Sequence, residues 1–232
     1  MKNYILLVFN TIFTAILFAV PSYSEEPDCS CSSPYIQKEI TVPYQCEVTY
    51  STGQTVTVTC YAHVIYCCRW DAFEPALHLK IECVAIHPGT CYFCYNSDPA
   101  GFFAHIRNAV AHDAIFNQTD CIPPNIPDCG SGDLPIIVAV KEWSCKYWEN
   151  VWGWHGYNEW ITILRNCEGE TSECIHWYKI CKDYFLNTIL ILEEGYEQLT
   201  TPGCSTQEPQ LPPEGKSDME HWRTQCFAPP CP

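Results

Sequence analysis

Eighteen cysteines constrain this chain more than any other feature, because all of them lie beyond an amino-terminal segment with the marks of export. Lys2 gives that segment a positive start, Tyr4 to Val20 is largely apolar, and Ser22-Tyr23-Ser24 offers the small residues a signal peptidase needs. The reading is a signal peptide over 1–24 with cleavage after Ser24. An uncleaved membrane anchor is the alternative, but Asn10, Thr11, Thr14 and Pro21 interrupt the run. No later segment is long and apolar enough to span a bilayer, so the mature chain carries no membrane span. An even number of cysteines in an oxidising compartment predicts up to nine disulfides. Spacing alone does not give their pairing; a local closure of Cys167 with Cys174 around Glu168–Glu173 is one expectation.

Charge narrows the partners. With Lys2 removed, 11 basic residues face 27 acidic ones, a net charge of −16 that repels phosphate backbones and anionic membranes. Nucleic acid is therefore not an expected partner, whereas an extracellular glycan or protein is. The acids are thinly spread and the aromatic content is high, which argues against disorder.

Alternation dominates after a polar leader, Glu25–Ser33, that holds Cys29 and Cys31. Cys46, Val48 and Tyr50 share one face of a first strand. Beyond a Thr52-Gly53 turn, Val56, Val58, Cys60, Ala62, Val64 and Tyr66 continue the period of two, with Thr55, Thr57, Thr59 and His63 opposite. A third strand sets Leu77, Leu79, Ile81, Cys83 and Ala85 against His78, Lys80 and Glu82, and ends at Pro88-Gly89. A helix over Pro99–Phe116 then supplies the cover: Asp98 caps it, Pro99 starts it, and Phe102, Phe103, Ile106, Val110 and Ala114 recur at helical spacing. Asn117 to Pro135, with Cys121 and Cys129, reads as a disulfide-stapled loop. IIVAVKEW, ITILRNC, CIHWYKIC and TILILEE are four more strands, the last with a helix over Tyr184–Leu199 as alternative. The fold class is α+β, mostly β: disulfide-rich antiparallel sheets with one central amphipathic helix. It forms a single domain over 25–200, with 34–120 and 121–200 as candidate halves. A proline-rich tail, 201–232, is pinned by Cys204, Cys226 and Cys231.

The hairpin ending in Cys67-Cys68, the capped helix, the proline-cysteine loop, VKEWSCKYW and CIHWYKIC together resemble uncharacterised cysteine-rich secreted proteins of the Bacteroidota and Chlorobiota bacteria. The resemblance spans Thr41 to Lys182. It implies an exported bacterial protein, extracellular, at the outer surface or in the periplasm, and no particular activity. It also makes the sequon Asn117-Gln118-Thr119 a chance match.

Motifs for chemistry are few. Cys91 and Cys94 have CxxC spacing, but Tyr95 follows, which excludes haem attachment; disulfides to distant partners are the expectation. His105 and His112 lie two turns apart on the predicted helix beside Asp113. With His63, His78 or His87 they could hold zinc, against the simpler reading of exposed or hydrogen-bonded histidines. Ser131, between glycines, is a turn rather than a nucleophile elbow. No cofactor is called for.

The densest feature is WENVWGWHGYNEW, Trp148 to Trp160. With a tip at Gly153-Trp154-His155 and Gly156 at positive φ, Trp148 pairs Trp160, Glu149 pairs Glu159, Asn150 pairs Asn158 and Val151 pairs Tyr157. One face then carries Trp148, Asn150, Trp152, Asn158 and Trp160, aromatic platforms and amides suited to a sugar ring, with core packing as the competing reading. The other carries Tyr147, Val151, Tyr157, Ile161 and an opposed Glu149 and Glu159, from which a glycosidase could be built. Trp154 at the tip is the tryptophan least explained by packing, and it joins Trp148, Asn150, Trp152, Asn158 and Trp160 as the sixth ligand-binding candidate. These features predict a secreted, non-catalytic binding or structural protein, with a secreted hydrolase and a surface-layer or fibre subunit as alternatives.

Overall fold

The computed structural model describes residues 29–232 apart from 50–51, 118–119, 123–124, 170–171, 230 and 232. The export segment, Tyr50 and two residues of the sequon lie outside the described residues. The elements are β1 (Ile36–Thr49), β2 (Thr55–Asp71), β3 (Ala76–Ile86), α1 (Thr90–Ser97), α2 (Pro99–Phe116), β4 (Ile136–Trp143), β5 (Lys146–Trp152), β6 (Trp160–Asn166), β7 (Glu173–Asp183), β8 (Thr188–Gln198) and β9 (Trp222–Arg223). The chain is mostly β, as its alternation predicts, and the nine strands form one sheet.

That sheet forks. β1, β2 and β3 run antiparallel in chain order, and β3 then has two successive neighbours on its far edge. Ala76–Lys80 pairs in parallel with β4, which leads on to β7 and β8. Val84–Ile86 pairs antiparallel with β6, which leads on to β5 and β9. The β3–β4 contact makes the sheet mixed rather than wholly antiparallel.

A bulge sits at the fork. Tyr66 pairs Ile81 and Ile65 pairs Cys83, leaving Glu82 as the extra residue of β3. One inserted residue reverses the faces beyond it. Leu77, Leu79 and Ile81 therefore share the main core with Val84 and Ile86, whereas Cys83 and Ala85 turn to a second core. The single apolar face expected over Leu77–Ala85 is corrected accordingly.

The main core lies between one face of the sheet and the helices. Asp98 caps α2 by accepting from the Gly101 amide at 2.9 Å, and Phe102, Phe103, Ile106, Val110 and Ala114 are all buried. A side chain at Gly101 would collide with the Asp98 carboxylate, so glycine there leaves room for the cap. A second helix, α1, departs from the one expected. Its periodicity is short, and it carries the CxxC pair: Cys91 bonds Cys60 on β2 and Cys94 bonds Cys46 on β1. Residues three apart share a helix face, so the pair rivets α1 to two adjacent strands.

The other disulfides are Cys29–Cys83, Cys31–Cys67, Cys68–Cys121, Cys129–Cys181, Cys145–Cys204, Cys167–Cys226 and Cys174–Cys231. The local Cys167–Cys174 closure does not form; each of the two bonds the tail instead. The nine cross-links fit an oxidising compartment outside the cytoplasm. Among the described residues no helix is long and apolar enough to cross a membrane. The tail does more than hang from its cysteines. It adds β9, buries Trp222 and Phe227 in the main core, and docks Leu211 against α1, where the Asn96 side-chain amide exchanges hydrogen bonds with the Leu211 backbone at 2.6 and 2.9 Å.

Candidate functional site

The WEN…NEW stretch forms a hairpin in a different register from its mirror symmetry. Trp152, not Trp148, faces Trp160; Val151 faces Ile161, Asn150 faces Thr162, Glu149 faces Ile163 and Trp148 faces Leu164. The turn is longer than a three-residue tip because it contains a 3-10 turn at Trp154–Gly156, entered through left-handed Gly153, with His155 and Gly156 also at positive φ. That turn folds Trp154 back under the sheet. Trp154 is 2% exposed and packs with Cys29, Ile65, Cys83, Ala85, Ile161 and Ile163 as the centre of the second core.

Trp148, Asn150, Trp152 and Trp160 do share a face, but it is the face under the helices and the tail. Trp148 is fully buried, edge-on to Tyr95 of α1 at 5.1 Å between ring centres. The Asn150 amide donates to the Asp218 and Glu220 carbonyls at 3.0 and 2.8 Å and accepts from the Thr162 hydroxyl at 2.8 Å. It holds the tail by the hydrogen bonds that a sugar would need. Of the six candidate ligand-binding residues, Trp148, Asn150 and Trp154 are thus in the interior. Trp152 (53% exposed) and Asn158 reach solvent, while half-buried Trp160 lies edge-on to Trp152 at 5.8 Å.

The four-residue shift also separates the paired acids. Glu149 is held by Arg165 at 3.2 Å and by His221 at 3.2 Å, whereas Glu159 sits outside the ladder with His87 at 3.6 Å. They are not cross-strand partners, and the spacing that suggested a glycosidase does not arise.

The histidines do not converge. His105 donates to the Pro43 carbonyl at 2.9 Å, His112 lies over Phe116, and His63 meets Glu39 at 3.5 Å. Asp113 is buried and accepts from Tyr66 Oη at 2.6 Å and Asn117 Nδ2 at 2.8 Å. Among the described residues, one group has metal-ligand spacing: Cys174, His176 and Cys231. Its two sulfurs are bonded to each other, which leaves no thiolate to coordinate a metal.

Sequence reasoning missed a buried charge cluster beside that disulfide. Glu142 of β4 accepts from Lys146 at 2.7 Å and meets Arg107 of α2 at 3.5 Å, all three side chains being almost wholly buried. Burial by itself would raise the Glu142 pKa, but the charges of Lys146 and Arg107 outweigh it and hold the carboxyl below its ordinary value. Nearby, burial and the Arg107 charge push His176 down to about 4, so the ring is neutral at physiological pH. The cluster is closed to solvent and joins α2, β4 and β5. It is structural glue, and the VKEWSCK spacing of Glu142 and Lys146 was its one visible signal.

The exposed apolar surface lies elsewhere, on the β4–β7–β8 branch. Val138, Val140, Tyr178 and Ile180 face the main core, so alternation turns Ile137, Ala139, Ile175, Trp177 and Lys179 outward. With Glu193 these line an open depression of about 370 Å³. The Trp177 indole lies over Gly195 on β8, where a Cβ would meet it at 2.5 Å, and Lys179 reaches Glu193 across the depression. β8 is the terminal strand of its branch, and Leu190, Ile191, Leu192 and Tyr196 along it are exposed, as are Phe185 and Leu186 in the turn before it. The helix alternative for this segment is replaced by an edge strand of 11 residues. No protein-family model, curated protein or solved structure matches this chain.

Proposed function

We propose that this chain is an exported, disulfide-stapled, non-catalytic binding or structural protein of the cell exterior whose contact surface is the β7–β8 arm. The supporting observation is the arm's edge: an 11-residue strand with exposed Leu190, Ile191 and Leu192. Natural edges are usually blunted by charge, proline or a bulge; on β8 the bulge at Leu192 and the glutamates from Glu193 onward blunt the second half, and Thr188–Ile191 carries none of these. An unblunted aliphatic stretch of edge beside an apolar face is the equipment for strand addition by a protein partner, with backbone hydrogen bonds supplying affinity and side-chain pockets selectivity. The test is retention of the purified mature protein on the cell-envelope fraction of the organism that makes it. Leu190→Lys should reduce retention several-fold, and equal retention of variant and wild type would remove the arm from consideration.

A second reading concerns carbohydrate. Exposed Trp152, edge-on to Trp160 with Asn158 close in sequence, keeps half of the sugar-binding equipment expected of the hairpin. Glycan-array binding that disappears in Trp152→Ala but survives Leu190→Lys would favour it.

A further inference from the structure

We infer that the Cys174–Cys231 disulfide is a thiol-exchange site: an external cysteine thiolate attacks Cys231, Cys174 leaves, and the chain becomes covalently joined to the owner of that thiol. This goes beyond the β8 arm and does not depend on it. Access distinguishes the two sulfurs. Cys174, on the helix-facing side of β7, is 6% exposed, whereas Cys231 is partly exposed in irregular chain of the tail. An external thiolate therefore meets Cys231 Sγ first.

The surroundings of Cys174 favour its departure. His176, two residues along the same face of β7, places Nε2 3.4 Å from Cys174 Sγ. Among the described residues this is the one disulfide with a histidine nitrogen within 4.8 Å of both sulfurs. With its proton on Nε2, the ring donates to a thiolate formed there. Charge acts in the same direction. Glu142 lies directly across the β4–β7 ladder from Cys174 and is engaged by Lys146 at 2.7 Å and Arg107 at 3.5 Å. With His176 neutral, that buried group holds two cations and one anion. Buried charges ordinarily come paired, so the group is one anion short, and a Cys174 thiolate supplies it. Neighbouring cations and a hydrogen-bond donor make a thiol more acidic, and a more acidic thiol leaves faster in exchange.

Cys31–Cys67 has the opposite setting. It too joins a partly exposed sulfur, Cys31, to a buried one, Cys67. The buried sulfur faces the Glu82 carboxylate at 3.5 Å, and Glu82 is itself paired with Lys80 at 2.6 Å. A thiolate at Cys67 would add a second anion beside that carboxylate.

The exchange closes in atoms and electrons. The incoming thiolate forms a bond to Cys231 Sγ as the Cys174–Cys231 bond breaks, and the electron pair goes to Cys174 Sγ. The incoming sulfur is oxidised to the disulfide level, Cys174 is reduced, and the thiol is the sole co-reactant. Cys145–Cys204 and Cys167–Cys226 still hold the tail to the sheet afterwards.

The test incubates the mature, oxidised protein under native conditions with free cysteine in one arm and an unstructured cysteine-containing peptide in the other. Samples are quenched with acid, alkylated under denaturing conditions and mapped by mass spectrometry. The expected product carries the added thiol on Cys231 and the alkyl label on Cys174, formed at least ~10-fold faster than any product at Cys31–Cys67. Adduct from both thiols, or from one alone, supports the site and shows which thiol source it accepts. His176→Phe, which has no donor, should slow the exchange about 10-fold. His176→Gln, whose amide can stand near the Nε2 position, should keep most of the rate, a rescue that a merely structural histidine would not show. Adduct on Cys174, exchange at Cys31–Cys67 as fast as at Cys174–Cys231, or a rate unchanged by His176→Phe overturns the inference. So does the absence of adduct from both thiols. Should His176→Phe fail to fold, the wild-type map alone decides between the two disulfides.

Discussion

The two branches that leave β3 use the same alternation and reach opposite ends. On β5 and β6 the face turned from the helices carries Val151, Ile161 and Ile163, and it is closed by Trp154 from the turn and by Cys29 from the leader. On β4 and β7 the corresponding face carries Ile137, Ala139, Ile175 and Trp177, and it remains open. The β5–β6 turn is long enough to fold back; the β7–β8 turn, Tyr184–Asn187, points its apolar side chains outward. The edges differ too: β5 is capped by β9 from the tail, while β8 ends its branch. A patterned strand is therefore only an offer of two surfaces, and the connections decide which of them become core.

Removing the cover from the closed branch is the largest perturbation available. Trp154→Ala should cost about 3–5 kcal/mol, the range for deleting a buried large aromatic, read as a shift of the guanidinium midpoint with disulfides intact. Trp177→Ala on the open branch, where the indole is half-buried over Gly195, should cost clearly less, about 1–2 kcal/mol. Equal losses would mean that the open face is packed in solution.

Next is the staple that holds the leader over the same face. Replacing Cys29 and Cys83 together by Ala should cost roughly 2–4 kcal/mol. Hydrogen exchange should then show faster opening at Ile161 and Ile163 than at Ile180, and uniform acceleration would contradict a separately covered branch.

The pH response concerns the join between branches. The His176 pKa is about 4 when folded and near its ordinary 6.5 when unfolded, so the unfolded chain binds more protons between those values. Stability is fully present above pH 6.5 and falls as the pH drops towards 4, by on the order of 2 kcal/mol once solvent screening of the ring is allowed for. Glu142, with its carboxyl held low, loses stability in the same direction at lower pH. His176→Gln should flatten the dependence between pH 6.5 and 4 in equilibrium denaturation; an unchanged slope would place its source elsewhere.

The smallest expected effect is the most informative about the open branch. Leu190→Lys should change stability by no more than ~0.5 kcal/mol, so any loss of retention reports on the surface itself.

Much of this was legible in the chain. Period-two alternation located the strands, and Asp98-Pro99 located the start of α2, because both signals act through neighbouring residues. The cysteine count implied the nine cross-links but not the tail's part in them: loop closure depends only weakly on length, so Cys167 gains little by choosing nearby Cys174 over distant Cys226. α1 escaped notice because eight residues offer barely two turns of periodicity and its cysteines suggested other chemistry.

The hairpin shows where sequence stops. Its composition determined that two strands would meet there and that Trp148, Asn150, Trp152 and Trp160 would share a face. The mirror of WEN and NEW suggested a register, but left-handed Gly153, His155 and Gly156 admit a longer turn, and burial of Trp154 favours it. Which face would be interior depended on α1 and on a tail some seventy residues away, with Asn150 bonded to Asp218 and Glu220. Local pattern fixes which side chains stand together, since it follows from backbone geometry. Whether they stand in water is settled by segments distant in sequence, whose arrival only the tertiary structure decides.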